Sequence, residues 1–93
     1  MGYLMKSSFT MERGGQQFDI TMTELPVKQL KKILKKEQKT GVKTPLWEMF
    51  ELMEGKIKHA ETGIGLDPDE VGQSFFLDVF VDYNDFLAKK LPR

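Results

Sequence analysis

The chain has no cysteine, a single histidine (His59), a single tryptophan (Trp47) and, over 93 residues, no net charge. The missing thiols exclude a disulfide framework, a thiolate metal site and a cysteine nucleophile, so packing alone must build the core. No apolar run approaches the roughly 18 residues needed to span a bilayer, and the start "MGYLMKSSF" lacks the apolar segment of a secretory signal. A cytoplasmic location with no membrane partner is therefore expected.

What is present fits a small folded protein. Hydrophobic residues make up 40% and charged residues 30% of the chain, a balance too rich in Phe, Leu and Met for disorder. The length suits one domain, 1–93, which at this size buries roughly 60 to 65% of its unfolded surface. The neutral total hides an asymmetry. Lys28 to Lys43 holds seven lysines (28, 31, 32, 35, 36, 39, 43) against Glu37 alone, whereas Glu61 to Asp85 holds seven acids (61, 67, 69, 70, 78, 82, 85) and no base. Such a charge dipole bears on partner orientation and self-association rather than on fold.

The first segment reads as a β-hairpin. Tyr3, Met5, Phe9 and Met11, then Phe18, Ile20 and Met22, alternate with polar neighbours, and Gly14-Gly15 between them supplies the positive φ of a tight turn. Helix signals follow. Thr23 can cap, Glu24 suits a helix start, and Pro26 is tolerated in a first turn. Val27, Leu30, Ile33 and Leu34 then gather on one side as the inward face, with a basic face of Lys28, Lys31, Lys32, Lys35, Lys36 and Lys39 opposite, and Gly41 ends the element.

A second helix is expected from a Thr44 cap and Pro45, with Leu46, Met49, Phe50, Met53, Ile57 and Ala60 as its stripe and Glu48, Glu51 and Glu54 across from it. On this reading Gly55 sits inside the helix, where it costs about 1 kcal/mol relative to Ala, His59 is a surface residue of the polar side, and Gly63 and Gly65 mark the exit. The last third admits two readings. As a strand at 74–83, Phe75, Leu77, Val79, Val81 and Tyr83 share a face. As a helix, Phe75, Phe76, Val79, Phe80, Tyr83, Phe86 and Leu87 are buried behind a polar stripe of Ser74, Asp78, Asp82, Asp85 and Lys89. The helix is preferred, because "DPDE" at Asp67 to Glu70 resembles a capping box, with Gly72 separating a short first turn. The expected fold class is thus α+β, an N-terminal β-hairpin packed against about three amphipathic helices.

Chemistry-bearing motifs are sparse. His59 lacks a neighbouring nucleophile, and Ser7, Ser8 and Ser74 stand in no motif. The carboxylates of "DPDE" lack the twelve-residue spacing and central glycine of a calcium loop, and helix capping accounts for them. "RGGQQ" and "TGIGLD" contain neither a P-loop lysine nor a dinucleotide fingerprint. No enzyme, cofactor or metal site is read here; the expectation is a non-catalytic binding protein.

For partners, the lysine face could neutralise phosphates, but arginine forks and interleaved aromatics, which nucleic-acid readers usually add, are missing. Six methionines, several beside aromatics, suit an adaptable protein-binding surface. Trp47, Phe50 and Met53 are the candidate partner-binding residues, with Trp47 expected as a partly exposed anchor at the edge of its stripe. The opposed charges allow a homo-oligomer.

Two stretches resemble the small tail-assembly chaperones of tailed bacteriophages. "FDITMTELPVKQLKK" is similar to that family's strand leading into a helix, through Ile20, Thr21, Glu24, Val27 and Leu30. "TGIGLDPDEVGQSFFLDVFVDYNDFL" is similar to its C-terminal pattern, through Gly65, Leu66, Asp67, Glu70, Phe86 and Leu87. The likeness covers about half the chain. It implies a protein that binds the long tape-measure protein in the host cytoplasm and keeps its apolar surface from aggregating until the tail tube assembles. It carries over no catalytic residue. Two other readings remain open: a nucleic-acid-binding protein using Lys28 to Lys43, and a small phage-type inhibitor of a host enzyme.

Overall fold

A computed structural model describes residues 3–90. β1 (Lys6–Arg13) and β2 (Gln16–Thr23) form the expected hairpin, in the register Lys6↔Thr23 through Arg13↔Gln16. Gly14 and Gly15 turn it at φ 61° and 80°. The direct pairs Ser7↔Met22, Phe9↔Ile20 and Met11↔Phe18 put the apolar alternation on one face.

The sheet does not stop at the hairpin. β3 (Lys56–His59) pairs antiparallel with β2 through Phe18↔His59 and Ile20↔Ile57, and β4 (Gly65–Leu66) pairs with β3, giving the order β1-β2-β3-β4. The long second helix is therefore corrected. α2 runs only from Leu46 to Leu52. It ends in two crossing hydrogen bonds, Gly55 N–H to the Phe50 carbonyl (2.9 Å) and Glu54 N–H to the Glu51 carbonyl (3.0 Å), the pattern that usually places glycine in the left-handed position between them. Here Glu54 occupies it, at φ 54°. Met53, Ile57 and Ala60 fit a helical stripe by spacing, but only the Met53 N–H still closes the helix, on the Met49 carbonyl (3.0 Å); from there the backbone bonds go to the sheet, Thr23 N–H donating to the Met53 carbonyl (2.8 Å) and Ala60 N–H to the Gln17 carbonyl (3.0 Å). Because a side chain in the left-handed region is strained, Glu54→Gly is expected to raise the melting temperature by a few degrees, about 0.5 kcal/mol net of glycine's extra chain entropy. A lowered melting temperature would show that Glu54 makes a compensating contact.

His59 is likewise corrected. It lies on β3, half-buried on the inner face, with its ring 5.1 Å from that of Phe18. Both expected threonine caps are absent: Thr23 belongs to β2, and α1 (Val27–Thr40) and α2 start after Pro26 and Pro45 in extended conformation, with no side-chain cap. Glu24 instead accepts the Met5 N–H (3.0 Å), and Thr44 N–H donates to the Glu37 carboxylate (2.8 Å), which holds Glu37 below the usual carboxylate range.

Residues 73–90 are helical, not a strand at 74–83. α3 (Gln73–Lys90) follows a short 3-10 turn, Pro68–Glu70, in which Asp67 accepts the Asp69 N–H (2.9 Å). Phe75, Phe76, Val79 and Tyr83 are buried and Phe80, Phe86 and Leu87 half-buried, the side expected. α3 covers the inner face of the sheet, and α2 packs beside it. Aromatic contacts tie the three together: Phe18–Phe75 at 5.4 Å, Phe50–Phe76 at 5.3 Å and Phe9–Phe86 at 6.0 Å between ring centres. Arg13 at the end of β1 clasps α3 by an ion pair to Asp78 and bonds to the Ser74 hydroxyl (2.7 Å) and carbonyl (3.1 Å).

Tyr83 is the titratable group most embedded in this core. Burial pushes its phenol above the ordinary 10, and the Glu24 charge adds to the shift. The buried Ser7 hydroxyl tempers it from nearby, without reaching hydrogen-bond geometry. Above pH 10 the unfolded chain loses this proton while the folded chain keeps it, so stability falls as pH rises through that range. A denaturation series from pH 8 to 11 should show the decline, and Tyr83→Phe should reduce it.

Candidate functional site

Among the described residues, α1 is the α-helix left most uncovered. None of its residues is buried. Val27 and Leu34 are 65% and 57% exposed and Leu30 is exposed at 38%, while Ile33 alone among its apolar residues packs against the core. The expectation that Val27, Leu30, Ile33 and Leu34 form an inward face is thus corrected to a single anchor and an outward stripe. The reason lies in where the chain runs. α2 and α3 already fill the inner face of the sheet, and α1 meets the core through Ile33 and, just before its start, the buried Leu25, while at its exit the Glu37 carboxylate accepts the Thr44 N–H. Its C-terminus closes on Gly41 at φ 72°, whose N–H bonds the Glu37 carbonyl (2.8 Å).

The basic face is brought together as expected. Lys28, Lys31, Lys32, Lys35, Lys36 and Lys39 are all exposed, and the first four border one small depression. The lysines flank the open apolar stripe on one side, so α1 shows a hydrophobic seam with a positive margin.

Of the three candidate partner-binding residues, the structure separates one from two. Phe50 and Met53 are core, at 1% and 5% exposure, whereas Trp47 is half exposed and shares a depression with Pro68, Asp69, Val71 and Phe76. Sequence reasoning missed Leu77 and Val81, which stand exposed on the outer side of α3 among Ser74, Asp78 and Asp85. Their spacing of four was the available signal, beside the wider stripe of seven apolar residues on the opposite side of α3.

The chain matches no protein-family model, no curated protein and no solved structure.

The remaining polar groups do not converge. Asp78 is engaged by Arg13, Asp67 caps the 3-10 turn, Ser74 bonds Arg13, and His59 lies against Phe18. Among the described residues no three His, Asp or Glu side chains come close enough to hold a metal ion, and no helix is long and apolar enough to cross a membrane. A depression of about 880 Å³ opens on the outer face of the sheet between Ser8, Asp19, Thr21, Lys56, Lys58 and Asp67. Its lining carries both charge signs, Asp19 and Asp67 with Lys56 and Lys58, beside the apolar Ile57, Leu66 and Pro68.

Proposed function

We propose that this chain is a non-catalytic protein-binding and assembly factor that recognises its client through α1. The observation that supports this most is the uncovered stripe of Val27, Leu30 and Leu34 beside six lysines. An amphipathic helix whose apolar face finds no cover in its own chain gains by laying that face in a groove or along another helix. The lysine margin favours a client with acidic flanks. The resemblance to tail-assembly chaperones gives a specific form of this reading, in which the client is a long, helical tape-measure protein.

Co-purification of the full chain from its native or infected cells, followed by mass spectrometry, tests the proposal. A long helical client that is retained by the parent chain and lost by Leu34→Glu is expected. Leu34 is exposed, so that variant should keep its circular dichroism spectrum. A client that Leu34→Glu retains would overturn α1 as the recognition element, and a single folded host enzyme in its place would favour the inhibitor reading. The cluster of Lys28, Lys31, Lys32 and Lys35 also supports a nucleic-acid reading. A mobility-shift titration with no binding at about 50 mM salt, where phosphate contacts are strongest, eliminates it.

Trp47 is expected to act as a second anchor, at its own depression with Pro68, Asp69, Val71 and Phe76. Trp47→Ala should weaken client binding about tenfold, as loss of a half-exposed aromatic anchor does, while lowering stability by about 1 kcal/mol or less. Calorimetric titration and a thermal melt separate the two; a large fall in melting temperature with unchanged binding would assign Trp47 to the core.

A further inference from the structure

The outer side of α3 carries the counterpart of the α1 stripe. Leu77 and Val81 are 56% and 59% exposed, and Ala88 is exposed further along the same side. With Asn84 they occupy positions 77, 81, 84 and 88, a spacing of four, three and four. Val27, Leu30 and Leu34 on α1 are spaced by three and four. These are the spacings of two helices packed along a seam. α1 and α3 have 14 and 18 residues, so at 1.5 Å per residue they run about 21 and 27 Å, comparable lengths for such a seam.

The margins also match. Beside the α1 seam, Lys31 follows Leu30; in the equivalent margin of α3, Asp78 follows Leu77 and Asp85 follows Asn84. When two helices pack antiparallel, equivalent margins face one another, so Lys31 meets an aspartate. Asp78 is taken by Arg13, and Arg13–Asp78 is the only ion pair among the described residues, which leaves Asp85 free. The opposite margins are apolar and half-buried: Ile33 on α1, Phe80 and Leu87 on α3. Within one chain the two stripes do not serve each other: Val27, Leu30 and Leu34 on α1 and Leu77 and Val81 on α3 all stay exposed.

We propose that α1 of one copy docks antiparallel on the outer face of α3 of a second copy, with Lys31 against Asp85. The contact joins two different surfaces, so it closes only where a two-fold pairs both seams at once and otherwise propagates head to tail. It uses the face assigned above to a client but needs no client, and the two are tested apart.

Sedimentation equilibrium over a dilution series at low salt, with the full-length chain, reads the contact. The parent chain is expected to show concentration-dependent association. Lys31→Glu and Asp85→Lys should each weaken it about tenfold, and the double variant should restore it, since the swapped charges still meet. Val81→Glu, at an exposed position, should abolish it with an unchanged circular dichroism spectrum. A parent chain that stays monomeric up to about 1 mM, or a double variant no better than the singles, overturns the proposal. So does flotation of a monomeric chain with phosphatidylserine vesicles that is lost on Lys31→Glu and not recovered in the double variant, which would assign the face to an anionic membrane. Asp85→Lys leaves α1 intact, so a client that it still binds separates failure of self-association from failure of client recognition.

Discussion

Phe76→Ala should lower the melting temperature by about 15 °C or more. Phe76 is 2% exposed and stands where the layers meet, its ring 5.3 Å from Phe50 on α2 and 6.0 Å from Phe75 beside it on α3. Truncating such a ring removes its burial and leaves a cavity that rigid neighbours cannot fill, a loss of about 3 to 5 kcal/mol. A domain of this size holds only about 5 to 10 kcal/mol in total, and each kcal/mol moves its melting point by about 4 to 8 °C. The variant is therefore close to unfolded at body temperature. Circular dichroism melts check the expectation: a drop below about 5 °C would mean that α2 and α3 do not meet through this ring. Leu77→Ala, one residue on and exposed, is the control and should shift the melt by about 0.5 kcal/mol or less.

Gly55→Ala should be destabilising by about 2 to 3 kcal/mol, the range of an overpacked core site. A Cβ placed at Gly55 falls onto Cε1, Cζ and Cε2 of the Phe50 ring, inside van der Waals contact. That ring is 1% exposed and wedged against Phe76, so it has little room to move. The sign is what makes the variant informative. Were Gly55 inside a helix, as the spacing of Met49, Met53 and Ile57 suggests, alanine would add about 1 kcal/mol of stability. Urea titrations of Gly55→Ala alone and on a Phe50→Leu background form the check: relief of most of the cost by the smaller side chain identifies the ring as the cause. A gain in stability from Gly55→Ala would instead restore the longer helix.

That reversal marks the boundary of what the residues disclose on their own. The hairpin is legible because β1 and β2 carry full alternation around Gly14-Gly15, and its pairing is local. α3 is legible because seven large apolar residues fall on one helical side. α2 is overextended because Met53 and Ile57 keep a helical spacing by coincidence, while "KIKH" is too short to announce a strand. What makes β3 a strand is the waiting edge of β2, through Ile20↔Ile57, a partner more than thirty residues away that no local pattern contains. The caps fail for a related reason: Thr23 is claimed by sheet pairing before it can serve a helix, and prolines 26 and 45 take the position next to each helix for themselves.

The candidate surface was half legible. Composition and periodicity give the two-sided character of α1 in full, lysines and all. They say nothing about whether the chain itself covers the apolar side, because amphipathicity records that a partner is needed and not which one. Burial decides it: Ile33 is used, and Val27 and Leu34 are left over. Trp47, Phe50 and Met53 show the same limit, since three large residues on and just after a short helix divide between surface and core by a rotation that sequence fixes only loosely.

The clasp of Arg13 on Asp78 joins residues 65 positions apart, whereas the strands of the sheet pair in chain order. A ribosome therefore delivers the whole sheet before its lid. At about 5 to 20 residues per second, the 18 residues of α3 take roughly one to four seconds to make, and for that time Met11, Phe18, Ile20 and Ile57 have no helix from this end of the chain to shelter them. The nascent protein is thus stickiest in the interval before α3 has been made. Chains stalled or truncated ahead of Gln73 should be found in the insoluble fraction, and supplying residues 73–90 as a separate peptide should recover part of them.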